Sequence, residues 1–184
     1  QIVCPECHTN FSLKIKKKEK QEIIQGTLTC NKKHKFSIIR GIPRLVSDKQ
    51  KDFVETEDAF SSKWRHFNKT YHNKKWIQGQ KKWFLERFGW KSISKLNSFL
   101  KTRSTILDAG TGVGNSAKLF SSNSNAQVFG IDASESIEFA YKKYGKIQNI
   151  HFLQADIRKL PFKKNFFDFI CSDQVLHHTK DTES

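Results

Sequence analysis

From residue 105 onward, short apolar runs alternate with amphipathic stretches. Residues 105–107, 127–131, 150–154 and 166–172 are β-branched, aliphatic or aromatic runs of strand length. Between them, 115–120 reads as a helix start. Residues 135–144 read as a helix with Ile137, Ala140, Tyr141 and Tyr144 on one face and Ser134 as its N-cap. Strands separated by helical patterns predict an α/β fold with a doubly wound, mostly parallel sheet, here supplied with about four strands.

Upstream the pattern changes. Phe60, Trp64, Phe67 and Tyr71 share one helical face, Trp83, Phe84 and Phe88 suggest a second helix ended by Gly89, and 92–100 reads as a third. The four tryptophans between Trp64 and Trp90 either cap a ligand pocket, stack on nucleic-acid bases, or pack these helices onto the next unit. In the first 47 residues the segments 22–29 (around Gly26) and 35–40 (turning at Gly41) suit small hairpins. The chain therefore divides into a β-rich front module at 1–47, a helical linker or cap at 48–104, and an α/β unit at 105–184.

Charge follows this division. The chain carries a net +15; residues 1–50 hold 11 Lys/Arg against 4 Asp/Glu, residues 51–104 hold 13 against 5, and residues 105–184 hold 9 of each. A basic front half suits nucleic acid or an anionic surface. Yet Lys outnumbers Arg 27 to 6, whereas planar recognition of bases favours Arg, and solvated lysines explain the charge equally. No run of about 18 apolar residues is present, and Lys14–Lys20 interrupts any secretory pattern, so a cytoplasmic location is expected. The chain starts at Gln1, lacks Met and stops at Ser184 within a helix–loop pattern, which reads as a fragment or a trimmed chain.

Two sets of residues carry candidate chemistry. Cys4-Pro5-Glu6-Cys7 is a C-x-x-C knuckle, and Cys30 and His34 follow as C-x-x-x-H after 22 intervening residues. Cys4, Cys7, Cys30 and His34 suit a closed, structural Zn2+ site, with His8 as the rival fourth ligand and a Cys4–Cys7 disulfide or free thiols as the alternatives. So short a module buries too little apolar surface to stand alone, and metal ligation on the order of 10 kcal/mol would hold it.

The second set begins with Asp108, then Gly110, Gly112 and Gly114 opening a helix. The dinucleotide fingerprint G-x-G-x-x-G is not met, because its last position falls on Asn115. An acid before the glycines suits a ligand with an amino group. Asp132 and Asp156 follow at equal offsets of 24 residues, each at the end of a strand, where parallel sheets bind ligands. Cys171 reads as a buried apolar residue.

In this order, LDAGTGVG (107–114), GIDAS (130–134), QADIRKLPF (154–162) and FDFICSDQVLHH (167–178) closely resemble the motifs of class I S-adenosylmethionine-dependent methyltransferases. The resemblance covers residues 105–180 and is to the subgroup containing ubiquinone/menaquinone-type methyltransferases and many small-molecule biosynthetic enzymes. It implies a Rossmann-like fold and S-adenosyl-L-methionine as cofactor. Asp108, Ala109, Gly110, Gly112 and Gly114 would cradle its methionine part, Asp132 its ribose with Ala133 beside the adenine, Asp156 the adenine amino group with Ile157 flanking the ring, and Ser172 the reacting side. His178 or His177 is the candidate general base, or else a packing residue. The D/N-P-P-Y sequence that marks methylation of base amines is replaced by Ser172-Asp173-Gln174-Val175. The family's sheet has seven strands, so the remaining strands and acceptor-binding residues would lie beyond Ser184.

The front module resembles the zinc-ribbon-like N-terminal domains of certain bacterial methyltransferases, including rRNA guanine methyltransferases and small-molecule enzymes whose module ends in GIPRL, here Gly41–Leu45. The AFSSKW run (59–64) is similar to the segment linking such modules to their catalytic domains. The expected function is methyl transfer to a small-molecule or biosynthetic acceptor. The alternatives are an rRNA methyltransferase that binds RNA through the basic front half and a non-catalytic zinc-ribbon adaptor. A nicotinamide oxidoreductase is the most distant reading.

Overall fold

The computed structural model describes residues 2–46 and 74–176, the side chains at 74–78 and 80 excepted. The helix expected around Phe60–Tyr71, the AFSSKW run and the His177–His178 pair lie outside the described residues.

The strands are β1 (Phe11–Glu19), β2 (Glu22–Cys30), β3 (Lys35–Ile39), β4 (Ile42–Arg44), β5 (Thr105–Ala109), β6 (Gln127–Asp132), β7 (Ile150–Gln154) and β8 (Phe169–Cys171). The helices are α1 (Lys74–Arg87), α2 (Ile93–Leu100), α3 (Asn115–Ser122) and α4 (Ser136–Tyr144). Among the described residues, all the strands lie in one sheet ordered β1-β2-β3-β4-β7-β6-β5-β8. β7, β6, β5 and β8 run parallel, so the chain winds outward from β5 through β6 to β7 and then returns to the other side of β5. That reversal creates the crevice at the strand carboxyl ends where open α/β sheets bind ligands.

β5, β6 and β7 are largely buried on both faces, which is why they read as continuous apolar runs, whereas Ile170 of the edge strand β8 is exposed. Ile106 and Val128 face one core with Phe84 of α1, Leu96 and Leu100 of α2, Phe120 of α3 and Ile137 of α4. Leu107 and Phe129 face the other, with Leu28, Phe36 and Ile38 of the front strands. There Phe129 takes Phe162, Phe166 and Phe167 edge-on at ring distances of 5.5, 5.4 and 5.6 Å. In the linker region Phe84 is buried and Trp90 packs on Phe99 at 5.2 Å against the core, while Trp83 is exposed. Ser92 caps α2 by accepting from Lys95 N at 3.2 Å, and Gly89 ends α1 at a φ of 68°.

Three local expectations are revised. The run 166–172 forms a strand only over Phe169–Cys171, because Phe166 and Phe167 turn into the ring cluster around Phe129. The helix expected from Glu135 begins at Ser136, with Glu135 in the cap position; the Ser134 hydroxyl accepts from Ser136 N at 3.2 Å but is also spent on Asp132. The lysine-rich stretch inside 11–19, read as an interruption, is the edge strand β1, which pairs with β2 through register shifts near Lys17.

The front strands also continue directly into the parallel sheet. β4 pairs with β7 at Arg44 and Gln154, reinforced by Leu45 N donating to Gln154 O at 2.7 Å. Glu138 of α4 accepts from Arg40 Nη2 at 2.5 Å and from Arg44, and the Tyr141 hydroxyl donates to Glu22.

Candidate functional site

The crevice is built by the ends of β5, β6, β7 and β8. Asp108, at 2 % exposure, accepts from the Thr111 hydroxyl at 2.6 Å. Burial pushes its carboxyl up to about 7, against the pull of the Thr111 hydroxyl and the Ala117 N–H, with the Asp132 and Asp173 carboxylates adding to the rise. Gly110 sits at a φ of 81°, and a Cβ there would lie 2.2 Å from Val175 of the segment after β8. Only glycine allows that approach in that conformation.

Asp132 organises the next layer. Its Oδ2 accepts from Gly112 N at 2.8 Å, and its Oδ1 accepts from Ser134 N at 2.9 Å and the Ser134 hydroxyl at 2.6 Å. These bonds use three of roughly four acceptor directions of a carboxylate. The next residue, Ala133, offers its carbonyl to Gln154 Nε2 at 2.8 Å. Gly114 has a packing role: a Cβ on it would come within 3.0 Å of Ala140 and Phe152.

At the end of β7, Asp156 is gripped by Arg158 through Nε at 3.1 Å to each oxygen, Nη2 at 2.6 Å and the backbone N at 2.8 Å. Ile157 packs at the margin of the core around Phe129. Beyond β8, Ser172 carries a buried hydroxyl that has no hydrogen-bond partner among the described residues. Such an orphan costs about 1–3 kcal/mol, which a polar ligand would relieve. Asp173 pairs with Arg87 Nε at 2.8 Å, while burial pushes its carboxyl upward. Cys171 is buried in the core, its thiol pushed to about 12 chiefly by desolvation.

The sequence thus brings Asp108, Ala109, Gly110, Gly112, Asp132, Ala133, Asp156, Ile157 and Ser172 to one sheet end. Thr111, Arg158, Gln154 and Val175 were not singled out. Thr111 alone left a signal, as a small hydroxyl between two glycines and three residues past an acid. Ionised Asp108 matches a ligand ammonium, and the remaining acceptor direction of Asp132 matches a hydroxyl donor, so this donor set fits an amino-acid-bearing nucleoside.

Away from the crevice, the ligand atoms of Cys4, Cys7, Cys30 and His34 all lie within 4.8 Å of one another. His34 Nδ1 is 3.5 Å from Cys4 Sγ and 3.4 Å from Cys30 Sγ, and the Cys7 and Cys30 sulfurs are 3.6 Å apart. A tetrahedral ion bonded to sulfur at about 2.3 Å implies sulfur–sulfur edges of about 3.8 Å, so one such ion fits. Two tight turns aim the ligands: His8 N donates to Cys4 O at 2.8 Å with His8 at a φ of 53°, and Lys33 N donates to Cys30 O at 2.9 Å with Lys33 at 68°. His8 belongs to the first of these turns and not to the cluster.

Residues 107–184 match the family described as a methyltransferase domain. The chain is 33% identical over 92 residues to the ubiquinone/menaquinone biosynthesis C-methyltransferase UbiE of Coxiella burnetii, covering 44% of this chain and 35% of that protein. It therefore spans about a third of the length of the curated relatives it matches. Among solved structures, it is similar to YcgJ of Bacillus subtilis (TM-score 0.43, 28% identity, 48% of this chain and 40% of that one). It is also similar to a SAM-dependent methyltransferase from Aquifex aeolicus (TM-score 0.39, 27% identity, 44% of this chain and 47% of that one). No described helix is long and apolar enough to cross a membrane. The ordered motifs and the strand order of residues 107–184 agree with the match to a methyltransferase domain.

Proposed function

We propose that the protein binds S-adenosyl-L-methionine in this crevice and transfers its methyl group to a small-molecule or biosynthetic-intermediate acceptor. The observation that carries the reading is the placement of Asp108, Asp132 and Asp156 at the ends of three adjacent parallel strands, beside a turn with only hydrogen at Gly110. Asp108 holds the amino group of the methionine part, with Gly110 and Gly112 giving backbone access. Asp132 accepts from the ribose hydroxyls, and Asp156 with Ile157 bounds the adenine. The Ser172 hydroxyl gains its missing partner at the reacting end. Bound S-adenosylmethionine supplies an already activated methyl group on sulfur, so the protein's task is orientation and, for some acceptors, removal of a proton. For that proton we assign His178 ahead of His177.

The similarity to a quinone-biosynthesis C-methyltransferase supports a small-molecule acceptor. The Cys4/Cys7/Cys30/His34 cluster holds a structural zinc ion in this reading, because four protein ligands leave no open position for chemistry. Calorimetry tests the cofactor: S-adenosylhomocysteine binds, whereas NADH does not. NADH binding without a response to either adenosyl ligand would overturn the assignment. For the acceptor, a steep salt slope on rRNA fragments would replace the small-molecule reading with the RNA one.

A further inference from the structure

The knuckle Cys4-Pro5-Glu6-Cys7 does not stand clear of the crevice. Just before it, Ile2 forms an antiparallel bridge with Phe162, and Val3 N donates to Pro161 O at 2.9 Å. Within it, the Glu6 carboxylate accepts from Lys159 Nζ at 3.1 and 3.3 Å. Val3, Cys4, Pro161 and Phe162 are all buried in this contact region. Every one of these contacts falls on the loop from Ala155 to Phe162, whose first residues include Asp156 and Ile157.

The loop carries local hydrogen bonds of its own, among them the Arg158 guanidinium on the Asp156 carboxylate. Ala155 N donates to Asp132 O at 3.0 Å, Lys159 N to Asp156 O at 3.0 Å, and Arg158 N to the Asp156 carboxylate at 2.8 Å. No helix intervenes between β7 and β8 among the described residues. The loop is thus held by these local bonds, by its two ends, by the ring cluster around Phe129, and by the knuckle. The knuckle in turn gets its shape from Cys4 and Cys7, two of the four clustered ligands.

We propose that the metal cluster is a positioning element of the cofactor site: by fixing the knuckle, it fixes the Ala155–Phe162 loop and thereby the place of Asp156. Metal occupancy then sets affinity for the adenosyl end of the ligand, although the metal touches neither cofactor nor acceptor. The inference rests on the S-adenosylmethionine reading for its consequence, but the coupling of knuckle to loop does not depend on it.

Hydrogen exchange on the full chain, zinc-loaded against chelated, separates the two. The amides of Ala155, Arg158 and Lys159 exchange about tenfold faster or more without metal, while those of β5 and β6 keep their protection. In parallel, the Kd for S-adenosylhomocysteine rises about tenfold. Unchanged loop exchange after verified metal loss overturns the coupling, as does acceleration shared equally by β5 and β6. Absence of S-adenosylhomocysteine binding to the zinc-loaded protein overturns the cofactor reading and, with it, the pocket role.

A second variant leaves the ligands intact. Lys159→Glu sets like charges against Glu6 and weakens binding about threefold at full zinc content, the scale of a partly exposed ion pair. The exchange Glu6→Lys with Lys159→Glu restores it. A Lys159→Glu variant indistinguishable from wild type in both loop exchange and affinity also overturns the proposal.

Discussion

The carboxylate of Asp132 accepts the backbone N–H of Gly112 at 2.8 Å, so the acid that ends β6 ties down the glycine turn that leaves β5. One residue thus serves both the turn's conformation and, in the proposed function, the ligand's ribose. Asp132→Ala removes a charge-assisted bond of about 1.5–3 kcal/mol and frees the turn. The expected result is a lower midpoint in urea together with complete loss of S-adenosylhomocysteine binding by calorimetry. Asp132→Asn, which keeps an acceptor oxygen, loses less of both.

Asp108 gives a pH signature. Its carboxyl is raised from 3.8 to about 7 in the folded chain, so the folded state holds a proton that the unfolded state has already lost. Stability therefore falls as pH rises from about 4 to 7, and Asp108→Asn flattens that part of the urea-midpoint profile. A ligand ammonium requires the ionised form, so affinity for S-adenosylhomocysteine drops as pH falls below about 7, approaching tenfold per unit. Binding near pH 6 releases close to one proton, measurable by calorimetry in buffers of different ionisation enthalpy.

Gly110 tests the closeness of the crevice. Gly110→Ala places a methyl against Val175 in a left-handed backbone, which costs about 1–3 kcal/mol and weakens cofactor binding. Adding Val175→Ala removes the clash but not the conformational strain, so denaturation midpoints show partial recovery.

The metal cluster is checked by metal analysis. The purified protein carries about one zinc per chain, and Cys30→Ser loses it. Because ligation on the order of 10 kcal/mol supports a small module, chelation lowers the thermal midpoint substantially.

Legibility followed the range of the interactions. Ile106, Leu107, Val128 and Phe129 declare their strands locally, because burial on both faces leaves only apolar positions. The three acids and the glycine turn are legible because their roles depend on short, fixed spacings. The strand β1 carries a short alternation at Phe11, Leu13 and Ile15, but the run of lysines that follows masks it, and Leu13 and Ile15 remain 45% and 49% exposed on this edge strand. The extent of β8 was overestimated because Phe166 and Phe167 are as apolar as strand residues but serve the ring cluster. The pairing of Arg44 with Gln154 left no trace in either local segment.

That pairing has a consequence for how the chain assembles. The front strands close on sequence neighbours, β1 on β2, β2 on β3, β3 on β4, and can form as soon as they are made. The free side of β4 has no strand to join until Gln154 exists. During synthesis the first hairpins must wait, with one edge open, for a partner more than a hundred residues later. Closing the sheet there is a late event, and the beginning of the chain is among the last parts to reach its native surroundings.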